Sequence, residues 1–68
     1  MYIIELSADE FQPYALTEVD DDGNEEGFFG NYCTVDDAIE AARKYLQVST
    51  WKEARKPWQP DALFESTQ

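Results

Sequence analysis

Apolar and polar positions follow a short, strand-like rhythm in the first half of the chain and a single helical period in the second. Tyr2-Ile3-Ile4-Glu5-Leu6 is rich in β-branched and aromatic residues and predicts an opening strand. Ser7-Ala8-Asp9-Glu10 supplies turn chemistry, and Phe11 to Val19 is again strand-like. Pro13 removes a ladder donor there, so this strand belongs at a sheet edge or starts after the proline. Asp20 to Gly27 reads as a hairpin connection in which Gly23 and Asn24 can take positive φ. Phe28 to Cys33 predicts a third strand bent at Gly30. Thr34 then caps a helix, Asp37 three residues later answers it, and Asp36 and Asp37 suit the positive end of the helix dipole. Val35, Ala38, Ile39, Ala42, Tyr45 and Leu46 keep helical spacing, with Arg43 and Lys44 near the far end. Ser49 or Thr50 is expected to cap a second short helix through Lys56, burying Trp51 and Ala54 and stopping at Pro57. Trp58-Gln59-Pro60 reads as a linker and Asp61 to Glu65 as a single turn.

The expected fold is α+β: a three-stranded antiparallel meander packed by one main helix in the C-terminal half and a second short helix. Residues 1–65 form one compact domain, and residues 66–68 fray. Trp51, Trp58 and Phe64 are expected to fill the sheet face that the main helix leaves open.

Composition sharpens this picture. The chain has 68 residues, and its 15 acids against 5 bases give a net charge of −10. Chains this acidic often stay disordered, but ten aromatics spread along the length supply the area a core needs. The charge is also segregated. Residues 1–42 hold twelve acids and no base, whereas all five bases (Arg43, Lys44, Lys52, Arg55 and Lys56) fall between positions 43 and 56. Such a field repels nucleic acid and anionic membranes and attracts basic protein surfaces. One cysteine, Cys33, cannot form an internal bridge and is expected as a buried thiol at a strand end, which favours a reducing cytoplasm. The N-terminus has no basic region and no long apolar run, so neither a signal peptide nor a membrane span is expected.

Candidate chemistry is sparse. With no histidine, the commonest general base and the commonest zinc ligand are both missing, and Cys33 has no partner to activate it. Paired carboxylates abound, but a chain of this size hardly encloses a sugar-binding cleft, and no glycine-rich phosphate loop opens a helix. The order Glu18, Asp20, Asp22, Gly23 imitates the start of a calcium loop. It then fails, because the twelfth position is Phe29 where a bidentate glutamate is needed. Lys52, Arg55 and Lys56 near Trp51 and Trp58 make at most a small basic patch, which the overall charge favours as solvated or paired with acids. The expectation is a protein with no catalytic residue, cofactor or metal, as a monomer or weak dimer.

What remains is the acidic surface. Glu18, Asp20, Asp21, Asp22, Glu25 and Glu26 on the hairpin, with Asp36, Asp37 and Glu40 on the helix, form the candidate partner interface. If the hairpin folds toward the helix, two rows of carboxylates lie several ångströms apart. At a density comparable to duplex phosphates, they suit a groove lined with Lys and Arg.

In its size, acidity and lack of histidine the chain resembles in type the small phage-borne inhibitors of bacterial defence, particularly anti-CRISPR proteins that act as DNA mimics. That resemblance implies a non-enzymatic inhibitor that blocks the DNA-binding surface of a CRISPR effector complex in the bacterial cytoplasm, without contacting nucleic acid or membrane itself. A second resemblance lies in residues 28–46, where a strand enters Thr34-Val35-Asp36-Asp37-Ala38-Ile39-Glu40-Ala41-Ala42. This join is similar to the partly degraded double-stranded-RNA-binding-like fold of HicB-type antitoxins, and it implies an antitoxin or adaptor that masks a basic partner.

Overall fold

The computed structural model describes residues 1–55 and 59–67. Five strands form one antiparallel sheet: β1 (Tyr2–Leu6), β2 (Tyr14–Val19), β3 (Glu25–Tyr32), β4 (Trp51–Glu53) and β5 (Ala62–Ser66). Their spatial order is β3-β2-β1-β5-β4. Helix α1 (Val35–Ala41) follows β3 and runs on into a π-helical turn, Ala42–Leu46.

The first strand is central. Ile4 faces Leu16 of β2 on one side and Phe64 of β5 on the other. A strand flanked on both sides needs two partners, and the meander supplies only one; the second comes from the C-terminal segment. The expected three-stranded sheet with two helices is therefore overturned. Residues 49–56, expected as a helix, contain β4, and the turn expected at residues 61–65 falls largely on β5. Trp51 pairs with Ser66, Lys52 with Glu65 and Glu53 with Phe64. The spacing of Trp51 and Ala54 fits a helix, but β-favouring Val48, Thr50 and Trp51 beside a free sheet edge fit a strand better, and the tertiary pairing decides. Of residues 66–68, expected to fray, the two described ones hydrogen-bond to distant parts of the chain. Ser66 is buried and its Oγ accepts from the Tyr2 amide at 3.0 Å, while Thr67 donates through its amide and its hydroxyl to Thr50.

The two faces differ. On one, α1 and the π turn pack Ala38 and Ala42 against Ile4 and Leu16, with Val48 and the half-buried Tyr14, Tyr32, Trp51 and Phe64 around them. Trp51 and Phe64 thus lie on the helix side of the sheet and not on the other face as expected, whereas Trp58 and Lys56 lie outside the described residues. The small side chains of Ala38 and Ala42 let the helix approach the strands closely. On the opposite face Ile3, Val19 and Ala62 form a smaller cluster joined by Ala54. The β2–β3 turn and the β4–β5 connection meet beside it, where Gln59 Nε2 donates to the Gly23 carbonyl at 3.1 Å. Three register shifts, two between β2 and β3 and one between β1 and β5, interrupt the regular ladders.

Thr34 caps α1 as its sequence predicts, its Oγ1 accepting from the Asp37 amide at 3.0 Å. The π turn was not legible. By α-helical spacing Tyr45 belongs to the apolar stripe with Ala38 and Ala42, but the wider turn carries it outward and leaves it 72% exposed. Gln47 closes the helix in the left-handed region at φ 57°, its amide donating to the Ala42 carbonyl. A non-glycine residue is disfavoured in that conformation. Gln47→Gly is therefore expected to raise stability by about 1 kcal/mol, read as a shift in the urea midpoint at unchanged slope.

Candidate protein-binding surface

The hairpin between β2 and β3 is built around one acid. Asp20 Oδ1 accepts from the amides of Asp22 and Asn24, each at 2.9 Å, and Oδ2 accepts from Asn24 Nδ2 at 3.3 Å. The Asn24 amide, followed by the other donors, holds this carboxyl below its ordinary range. Gly23 takes φ 85° and completes the turn. Asp20 is thus half-buried and committed to the loop, while Asp21 and Asp22 project from its tip.

Glu25 and Glu26 follow at the start of β3, both exposed. The strand carries two more residues than its partner needs. Glu18 faces Gly27 while Val19 faces Glu25, which leaves Glu26 extra; Leu16 faces Gly30 while Thr17 faces Phe28, which leaves Phe29 extra. These bulges turn apolar side chains outward. Phe28 is 59% and Phe29 39% exposed, Phe29 meeting the Tyr2 ring edge-on at 5.8 Å between centroids. Gly30 accommodates the second bulge at φ 126°.

The other acids lie elsewhere. Glu18 is half-buried opposite Tyr2 of β1. Asp36 and Asp37 are exposed on the first turn of α1, and Glu40 bonds Arg43 at 2.5 Å, which holds its carboxyl below the ordinary range. Hairpin tip and helix start lie at opposite ends of β3, roughly 20 Å of strand apart. The hairpin leans toward Gln59 and not toward the helix, so the expected pair of facing carboxylate rows does not form. What forms instead is an acidic tip and strand edge (Asp21, Asp22, Glu25, Glu26) and a separate acidic first turn (Asp36, Asp37).

Lys52 and Arg55 sit apart from both. Lys52, on the opposite edge strand, approaches the buried Glu65 at 3.6 Å, and Arg55 bonds Glu53 at 2.6 Å. Neither belongs to a basic helical face. Among the described residues no cation comes within ion-pairing distance of Asp21, Asp22, Glu25 or Glu26. Nor do the described residues form a cleft or gather a metal-binding cluster of acids or cysteines.

Asp9, in the β1–β2 loop, accepts from the amides of Phe11 and Gln12, each at 2.9 Å, which holds its carboxyl below the ordinary range. Phe11, expected within a strand, stands 83% exposed on that loop, because β2 begins only after Pro13. Cys33, expected as a buried thiol, is exposed just past the end of β3. A Ser7-Ala8-Asp9 turn signal is visible in the sequence; the bulge that exposes Phe28 is hinted at only by Gly27 and Gly30.

Comparison with protein families, with curated proteins and with solved structures finds no match to this chain.

On the face away from α1, Glu5 is half-buried with the fully buried Thr17 hydroxyl donating to its Oε1 at 3.5 Å. Burial raises its carboxyl above the ordinary range, Glu25 adds repulsion, the Thr17 bond opposes, and Asp61 adds a last push upward. The protonated form is therefore favoured by folding. This contribution is fully present below the unfolded pKa and is lost as pH rises through the higher folded one. Glu5→Gln, neutral throughout, should melt about 3 °C above the wild type at pH 7, with the difference vanishing near pH 3. Asp20 acts in the opposite sense: its support is present above its unfolded pKa and lost as pH falls through the lower folded one. Asp20→Ala should accelerate amide exchange at Asp22 and Asn24 at pH 7 while leaving α1 unchanged; unchanged exchange at those amides would refute its role in the turn.

Proposed function

We propose that this protein is a non-enzymatic acidic inhibitor that acts in the bacterial cytoplasm. It docks its hairpin tip and β3 edge on the basic, nucleic-acid-binding surface of a protein or complex such as a CRISPR effector. The observation that carries this reading is the set of four exposed carboxylates, Asp21, Asp22, Glu25 and Glu26, which project from a turn fixed by Asp20 and meet no cation of the described residues. Four charges within six consecutive residues make a concentrated anionic cluster, and a surface that binds nucleic-acid phosphates meets such charge with arginine and lysine.

The chemistry is stoichiometric. Docking releases counterions from both partners and excludes nucleic acid from the same surface, so affinity falls steeply as salt rises. Chain entropy opposes docking less than it would for a disordered acidic tail, because the turn already holds its carboxylates in place. The direct passage from β3 into the Thr34-capped helix supports a second reading, an antitoxin or adaptor masking a basic toxin. Both readings use the same acids and differ in the partner.

Replacing Asp21, Asp22, Glu25 and Glu26 with lysine should abolish binding to a DNA-binding effector complex while leaving the melting transition cooperative. Binding of the wild type should compete with duplex DNA and weaken by roughly a hundredfold or more between about 50 and 200 mM salt. Binding indifferent to both DNA and salt would refute the reading, and growth rescue on co-expression with a basic toxin would favour the antitoxin.

A further inference from the structure

We propose that the outer edge of β3 accepts a short, extended, cationic segment of a partner protein as an added strand, with Phe28 and Phe29 as its apolar contacts. This rests on the reading that the acidic surface meets a basic protein, and it specifies how part of that contact is made. β3 ends the sheet, and no described element pairs with its outer side. An unpaired strand edge offers a row of backbone donors and acceptors to any chain that can lie along it.

The two edges of the sheet are defended differently. β4 is only three residues long and carries Lys52. β3 runs for eight residues and contains no lysine, arginine or proline. Its defences are Glu25, Glu26 and the two bulges, and each selects an occupant. Glutamates repel the β3 edge of a second copy, on a chain of net charge −10, and attract lysine or arginine. The bulges at Glu26 and Phe29 break the edge into short regular stretches, which a rigid foreign sheet does not follow and a flexible segment does.

The exposed aromatics point the same way. Phe28 and Phe29 lie between the glutamates and the end of the strand and offer ring faces on which an arginine or lysine can rest. Nucleic acid has neither a cationic side chain to place there nor a peptide backbone to continue the ladder. The occupant that satisfies edge, charge and rings together is a peptide strand alternating cationic and small β-branched residues.

The test uses isotope-labelled full-length protein and a synthetic peptide matched to the eight residues of β3 in length, alternating lysine or arginine with valine or threonine. A second peptide of the same sequence is N-methylated at alternate amides, which keeps its charge and removes ladder donors. Addition of a strand predicts amide shift changes concentrated on residues 26–32, slowed exchange of outward-facing β3 amides, and binding roughly tenfold weaker for the methylated peptide. Phe28→Ala should weaken binding several-fold with the fold intact, since that side chain is mostly solvent-exposed. Equal binding of both peptides, or shifts centred on Asp21 and Asp22, would overturn strand addition while leaving the acidic docking surface standing. Failure of every cationic peptide to bind would overturn both. Concentration-dependent shifts of β3 without peptide would make a second copy the occupant, and β3 shifts on adding duplex DNA would make it nucleic acid; either overturns the proposal.

Discussion

Pairing of β1 with β5 in the middle of the sheet is the constraint on which the rest of this structure depends. It joins the first and last strands, with Ile3 opposite Glu65 and Ile4 opposite Phe64. Burial of Ile3 and Ile4 contributes about 1.5–3 kcal/mol each. The N-terminal ammonium donates to the Val19 carbonyl at 2.9 Å and fixes the opening residue on β2 as well. Once the chain termini occupy the centre, the segments between them are pushed outward. β3 and β4 become the edges, which puts Glu25 and Glu26 on one edge strand and Lys52 on the other.

Uneven covering of the two faces follows from the same topology. Helix α1 leaves β3 and, with the π turn, crosses one face, where Ile4, Leu16, Ala38, Ala42 and Val48 make the main core. The other face carries the smaller cluster of Ile3, Val19 and Ala62, and Gln59 bonds the Gly23 carbonyl of the β2–β3 turn. That second cluster has little apolar volume, and two carboxylates, Glu5 and Glu65, sit on the same side. Glu65 is buried beside Lys52, and Glu5 is held above its ordinary pKa. Acids near the interior of an already acidic protein spend part of its folding free energy on desolvation and repulsion.

Legibility of the sequence tracked how local each determinant was. The cap at Thr34, the α1 register through Ala42, the first strand and the restart of β2 after Pro13 are all decided within a few residues. β4 and β5 are decided by partners many positions away: Trp51-Lys52-Glu53 is a strand because Phe64 to Ser66 lies beside it, and Phe64 is a strand because Ile4 does. Eleven to fifteen positions separate the β4–β5 partners and sixty separate Ile4 from Phe64, and no local propensity carries that information. The acidic tip was legible as charge, but its division of labour was not. Asp20 and Asp21 are chemically identical in the sequence, and only the path of the backbone makes one a structural acceptor and the other a projecting charge. Exposure of Phe28 was hidden for a similar reason, since one extra residue on a strand changes which way its neighbours point.

Rigidity is what separates this surface from an acidic tail of equal charge. A disordered run of aspartates and glutamates must lose backbone freedom when it docks, at roughly 1–2 kcal/mol per residue fixed. Here the loss is borne in folding: Asp20 gives up its own charge as a contact and holds the turn through three hydrogen bonds, while the β2–β3 ladder fixes Glu25 and Glu26. The same ladder fixes Phe28 beside them, so charge and apolar area arrive at a partner in one set geometry. In the proposed contact, electrostatics would govern the rate and range of encounter, and the aromatic edge would contribute the part that salt does not screen.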